Sequence, residues 1–170
     1  MFTSGPPGRP NRCPCVQDVA ALRSFDGLPH RMEEVGLRDG VLYVNDSLAT
    51  TPEATVAALE SYEMPVVLIA GGASKGADFG PVAKAVVNGR VRAVILLGTE
   101  ANRLAEAITK RGYGGVLVQD CEDMAMAVGA ARNQSHCGDV VLLSPGCASF
   151  DMFTSYADRG NLFKRLVLDR

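Results

Sequence analysis

No stretch of this chain approaches the ~20 consecutive apolar residues of a membrane span. Its amino terminus has no basic segment followed by an apolar core, so no secretion signal is visible. A Gly-x-x-x-x-Gly-Lys-Ser/Thr phosphate loop is absent throughout. Excess charge is lacking too. The net charge of −2 makes no electrostatic case for nucleic acid or an anionic membrane as partner. Cysteine offers little. The five, Cys13, Cys15, Cys121, Cys137 and Cys147, are odd in number and scattered, as expected of reduced thiols in a cytoplasmic protein. Cys13 and Cys15 are too close for an ordinary zinc pair and no second pair follows, so no cysteine metal site is expected.

What is present suits one soluble domain. The 170 residues are 47% hydrophobic and 21% charged, enough for a full core. Residues 1–24 read as a disordered leader or linker, rich in Gly and Pro around Gly5-Pro6-Pro7-Gly8-Arg9-Pro10, with one or two helical turns possible over 18–25. The domain proper is expected from residue 25 to 170.

Residues 31–35 and 41–45 predict a hairpin, with Asp39-Gly40 as its turn. Thr51-Pro52 then starts a helix that runs to about Tyr62, a cap followed by proline at the first helical position. From there strands and helices alternate. Strand 66–70 precedes helix 79–87, with Asp78 as its cap, and strand 93–97 precedes helix 100–110, capped by Thr99. Strand 116–118 precedes helix 121–132, capped by Asp120, and strand 140–143 precedes helices from Phe150 to the end, broken near Gly160. Four successive β-then-α units predict an α/β fold. It is a Rossmann-like, doubly wound, mostly parallel sheet with an antiparallel edge hairpin.

Three loops follow apolar strands at what should be one edge of that sheet. Residues 45–50 bring Asp46, Ser47 and Thr50; residues 71–76 bring Ser74 and Lys75; residues 144–149 bring two hydroxyls and lead to a helix start. Open α/β sheets bind ligands at this edge. An ammonium, several hydroxyls and a helix end suit a small carboxylate-bearing ligand. Each Ser or Thr alone is better explained as a cap, and convergence depends on the sheet order. Asp46 suits a nucleotide hydroxyl, a metal-bound water or a local turn. No nucleophile–histidine arrangement is legible around His30, and His136 sits in a polar connection.

Four segments occur together in order: Gly27-Leu28-Pro29-His30-Arg31, Asn45-Asp46-Ser47-Leu48-Ala49-Thr50, Gly71-Gly72-Ala73-Ser74-Lys75-Gly76-Ala77-Asp78-Phe79, and Leu143-Ser144-Pro145-Gly146-Cys147-Ala148-Ser149-Phe150-Asp151-Met152-Phe153. They resemble the C-terminal domain of the Mur ligases, ATP-dependent enzymes of peptidoglycan synthesis. The lysine loop and the Ser-Pro-x-Cys-Ala-Ser segment are most similar to the members that add D-glutamate to UDP-N-acetylmuramoyl-L-alanine. The resemblance implies a three-domain enzyme. A first domain holds the UDP-sugar, a central one holds ATP and Mg2+, and the last holds the incoming amino acid, whose amine attacks an acyl phosphate. It implies that Thr50, Lys75 and Ser149 hold the two glutamate carboxylates, with Phe150 and Tyr156 assisting. It also implies that His30, Arg31 and Asp46 lie at the nucleotide. No catalytic residue and no metal ligand is expected on this chain, which alone should be inactive for want of the other domains. The sequence departs from the family where Leu48 replaces a usual lysine and Thr51 a usual asparagine. A non-catalytic docking module with the same fold is the alternative. A folylpolyglutamate-synthase relative is a third reading, against which the 144–149 segment speaks.

Overall fold

The computed structural model describes residues 27–73 and 76–169. The expected leader and the helical turns over 18–25 lie outside the described residues.

Eleven elements follow one another among the described residues: β1 (Glu33–Arg38), β2 (Val41–Asn45), α1 (Pro52–Glu60), β3 (Val66–Gly71), α2 (Gly80–Asn88), β4 (Val91–Leu97), α3 (Ala101–Lys110), β5 (Val116–Cys121), α4 (Met124–Gln134), β6 (Val140–Leu143) and α5 (Tyr156–Leu168). The six strands form one sheet in the order β1-β2-β6-β3-β4-β5. Only the β1–β2 pair is antiparallel. The predicted α/β class and edge hairpin are therefore observed.

Strand β3 explains the layering. All six of its residues are buried. Its alternate side chains point to opposite faces. Val66, Leu68 and Ala70 pack with Leu59 of α1, Val82 and Val86 of α2, and Leu104 and Ile108 of α3. Val67 and Ile69 pack on the other face with Met124 and Val128 of α4 and Phe163 and Val167 of α5. Helices thus cover both faces, which a parallel sheet requires.

Several boundaries differ from expectation. The first strand starts at Glu33 rather than residue 31, because His30 and Met32 adopt left-handed backbone conformations (φ 65° and 47°) that a strand cannot contain. Asp78 does not cap α2. Phe79 holds that position, and Asp78 Oδ1 accepts instead from Gly80 N at 2.8 Å. Thr99 does not cap α3 either, since its hydroxyl donates to Gly72 O. β5 extends to Cys121, so the cap of α4 moves from Asp120 to Asp123, which accepts from Met126 N at 2.7 Å.

The final helix shows the largest difference. It starts at Tyr156, capped by Ser155, and not at Phe150. Residues 149–153 turn instead, with Met152 N and Phe153 N both donating to Ser149 O. Nor is α5 broken at Gly160. The glycine is there because an added Cβ would overlap His30 Nδ1 and crowd the Asn45 amide.

Candidate functional site

The sheet order places β6 between β2 and β3. The loops after these three strands therefore sit side by side, as the ligand reading required. The chain leaves β2 and β3 towards helices on one face and leaves β6 towards α5 on the other. Such a switch in direction opens a crevice at the carboxyl ends of the strands.

Backbone bonds knit the three loops. Gly71 N donates to Pro145 O, Gly146 N donates to Ala49 O, and Ala73 and Ala148 exchange a reciprocal pair, all at 2.9 Å. Gly72 sits at φ 135°, and any Cβ there would meet the Ala148 carbonyl. The glycine lets two loop backbones touch. Side chains add to this. Ser144 Oγ donates to Asp46 Oδ2 at 2.9 Å, and Thr55 Oγ1 donates to Ser144 O at 3.1 Å.

Two hollows flank this knot. One, of about 390 Å³, runs along Thr50, Thr51, Ala73, Gly76, Asp78 and Ala148. Thr50 is exposed on it. Ser149, next in chain to Ala148, is buried, whereas Phe150 is 78% exposed. Lys75 and Ser74 lie outside the described residues. The second hollow, of about 340 Å³, is bordered by Arg31, Met32, Asp46, Leu48 and the alanine face of α1.

Asp46 is buried, and its Oδ1 accepts from Met32 N at 3.2 Å. Burial raises its pKa, and the bonds from Ser144 and Met32 and the charge of Arg31 only partly offset that. His30 bonds to Asn45, the residue before Asp46. Asn45 fixes its protonation state. Asn45 Oδ1 accepts from Ser47 N at 3.1 Å, so Nδ2 is the donor to Glu33 Oε2 at 3.1 Å and to His30 Nδ1 at 2.9 Å. Nδ1 is then an acceptor and His30 is neutral. Burial lowers its pKa in the same sense, against the pull of Glu33. The ring stands edge-on to Tyr156 at 6.0 Å. The structure thus joins Arg31 with Asp46, and His30 with Tyr156, and it sets Thr50 on the neighbouring hollow.

Of the two family departures, only Thr51 has a local explanation. Leu48 lines the second hollow, half-buried, with its N–H donating to His30 O. Thr51 caps α1, accepting from Ala54 N, a task asparagine performs equally well.

The sequence reading missed Arg159. Its guanidinium is 1% exposed and bonds to both Ser47 and Cys147. An i, i+4, i+8 row, Arg159-Phe163-Val167, marks it as inward-facing once the helix start is set at Tyr156. Burial pushes the neighbouring Cys147 thiol up to about 12, so it stays protonated.

Residues 30–147 match the Mur ligase, glutamate ligase domain family. This chain belongs to that Mur ligase family. A UDP-N-acetylmuramoylalanine–D-glutamate ligase of Pelotomaculum thermopropionicum is 48% identical over 150 residues, covering 88% of this chain and 32% of that protein. The chain thus spans about a third of the length of this curated relative. Two solved Mur ligases from Thermotoga maritima share the fold. The UDP-N-acetylmuramate–alanine ligase has TM-score 0.61 and 15% identity over 89% of this chain and 33% of its own. A second, in complex with ADP, has TM-score 0.57 and 20% identity over 90% and 36%.

The second hollow offers little to a nucleotide beyond one edge. Arg31 offers one exposed cation and the alanine face of α1 an apolar wall, with no phosphate cradle in the sequence. Among the described residues no three His, Cys, Asp or Glu side chains converge on a possible ion. Also among the described residues, no helix is long and apolar enough to cross a membrane.

Proposed function

We propose that this chain is the amino-acid-binding domain of a ligase that joins D-glutamate to UDP-N-acetylmuramoyl-L-alanine. The domain runs from about residue 25 to 170. The observation that carries this is the adjacency of the β2, β6 and β3 loops at the switch point of the sheet. The 48% identity to a ligase named for that reaction supports the choice of amino acid. Thr50, Lys75 and Ser149 supply one ammonium and two hydroxyls to a ligand with two carboxylates, with Phe150 and Tyr156 beside them. Arg31 touches the nucleotide from the second hollow. Asp46 holds Met32, and through it Arg31, in place, and His30 buttresses the same corner as a neutral ring. ATP, held by the central domain of the complete enzyme, would supply the phosphoryl group that activates the acceptor carboxylate.

The test is a chemical-shift titration with D-glutamate, with L-glutamate as control. Shifts should be confined to the loops around Thr50, Lys75 and Ser149. Lys75→Ala should weaken binding by roughly one to two powers of ten, since a bond to a charged group contributes about 1.5–3 kcal/mol. Ser149→Ala should cost less. Equal shifts with both enantiomers, or shifts that survive Lys75→Ala, would favour a docking module, the reading that Leu48 in place of lysine supports. Phosphate release by the isolated chain, given ATP, Mg2+ and both substrates, should match a protein-free blank. Acceptor-dependent release would overturn the domain reading.

A further inference from the structure

Arg159 heads the large side chains that are almost fully buried, at 1% exposure. Its Nε donates to Ser47 Oγ at 2.9 Å, one terminal nitrogen to Ser47 O at 2.9 Å and the other to Cys147 O at 3.1 Å. Ser47 Oγ passes the chain on to Tyr156 O at 2.8 Å. A Cβ added to Gly72 would stand 3.3 Å from the same guanidinium. One side chain thus bonds to the β2 and β6 loops and underlies the β3 loop. Every one of its hydrogen-bond acceptors is neutral, and among the described residues no carboxylate lies within ion-pair distance of it. Burial lowers its pKa to about 10, so it remains a cation at neutral pH.

Stability does not explain this choice. A buried charge costs several kcal/mol in desolvation, and a well-packed apolar side chain of similar volume often serves the fold as well or better. Phe163 and Val167 continue the same face of α5 in that apolar manner. The departure comes where α5 meets the loops.

We infer that Arg159 is a positioning residue for the anion cleft. It fastens two of the three loops to one point and leaves beneath their floor a positive charge with no carboxylate at ion-pair distance, Asp151 acting on it only from farther off. The electrostatic half of this rests on the cleft being a dicarboxylate site; the fastening half does not.

Two measurements on the whole chain separate those halves. The first is amide hydrogen exchange in Arg159→Met and Arg159→Lys. The Met variant should melt at or above the wild-type Tm. The amides of Leu48, Ala73, Gly146 and Ala148 should exchange about tenfold faster or more, while Leu68 and Ile69 in β3 keep their protection. The Lys variant should recover part of the loop protection, because an ammonium reaches fewer acceptors than the fork. Loop amides at wild-type rates in both variants would overturn the proposal. So would an even acceleration through β3 with a lowered Tm, which marks an ordinary structural residue. If the Met variant does not fold, the Lys variant decides by the same loop amides. The second measurement is D-glutamate affinity, expected to fall about tenfold or more in Arg159→Met and less in Arg159→Lys. A wild-type chain that shows no D-glutamate shifts would sink the dicarboxylate reading and the electrostatic half with it, leaving the fastening to stand or fall on exchange.

Discussion

Two ends of one sheet treat buried charge in opposite ways. At the amino end, Asp139 is buried just before β6 and meets a matched cation. Arg92 of β4 grips it with two nitrogens, at 2.8 and 3.2 Å, and His136 N donates to it at 2.8 Å. At the carboxyl end, Asp46 is buried with a hydroxyl and a peptide N–H. Arg159 is buried there too, with a hydroxyl and two carbonyls. Asp46 and Arg159 are hydrogen-bonded as Asp139 is, but of the three only Asp139 is held in an ion pair. A cancelled pair serves the fold. Charges left uncancelled exert their field on whatever enters the crevice, at a cost in stability that the rest of the fold must carry.

The largest effect should come from breaking the matched pair. Asp139→Ala strands the Arg92 fork and the His136 N–H. A fully buried pair broken this way costs 3–5 kcal/mol, but the Arg92 side chain is 38% exposed and can rehydrate. The expected loss is about 2–3 kcal/mol in a denaturant titration. D-glutamate shifts at the far edge should not change. A loss below about 0.5 kcal/mol, the range of an ordinary surface pair, would show that the two ends are not energetically distinct.

At the site edge the sign should reverse. Asp46→Asn keeps both hydrogen bonds, since Oδ1 can still accept from Met32 N and Nδ2 can donate to Ser144 Oγ. It removes only the charge. Burial raises the folded-state pKa of Asp46 above its ordinary value. Between those two values the folded state binds the proton that the unfolded state has released. Wild-type stability therefore falls as pH rises through that window. The Asn variant lacks this term. It should equal the wild type below the ordinary aspartate range and exceed it at neutral pH, by less than the Asp139→Ala loss. Melts from acid to neutral pH would show the gap opening with pH. A gap that closes, or a variant less stable at pH 7, would mean that the carboxylate is stabilising and the contrast is wrong.

Much of this was legible in the sequence, for reasons that differ between the two ends. Strand β3 announced itself because its apolar run is short, rich in β-branched residues and bounded by Pro65 and Gly71-Gly72, as suits a strand covered on both sides. Thr50, Asp46 and Ser149 could be nominated because polar residues just past such strands fall at the ligand-binding edge. The sheet order could not be read. It depends on β6 returning between β2 and β3, a contact made across some seventy to a hundred residues with no local signature. Local caps misled where a tertiary contact outbid them. Thr99 suits a cap by composition, yet its hydroxyl is spent on Gly72 O. Gly160 looked like a helix break, and its real cause, the bulk of His30 and Asn45, comes from the far side of the fold. The left-handed backbone at His30 and Met32 was hidden too, because any residue other than glycine adopts that conformation only uncommonly.

The smallest effects set two neighbouring threonines against each other. Thr51 caps α1, but its bond from Ala54 N is 3.4 Å long and exposed. Thr51→Ala should therefore lose about 0.5–1 kcal/mol, the low end for a cap, and leave D-glutamate affinity alone. Thr51→Asn should be neutral, since either side chain accepts the same N–H. Thr50 is exposed on the hollow and lies before the cap, so Thr50→Ala should leave the melt unchanged. Loss of one neutral hydrogen bond to the ligand should weaken D-glutamate by roughly threefold to tenfold. Thermal melts and shift titrations on the three variants separate the roles. If Thr51→Ala weakened the ligand while Thr50→Ala did not, the cleft would have to be redrawn one residue along the chain, with the cap itself among its contacts.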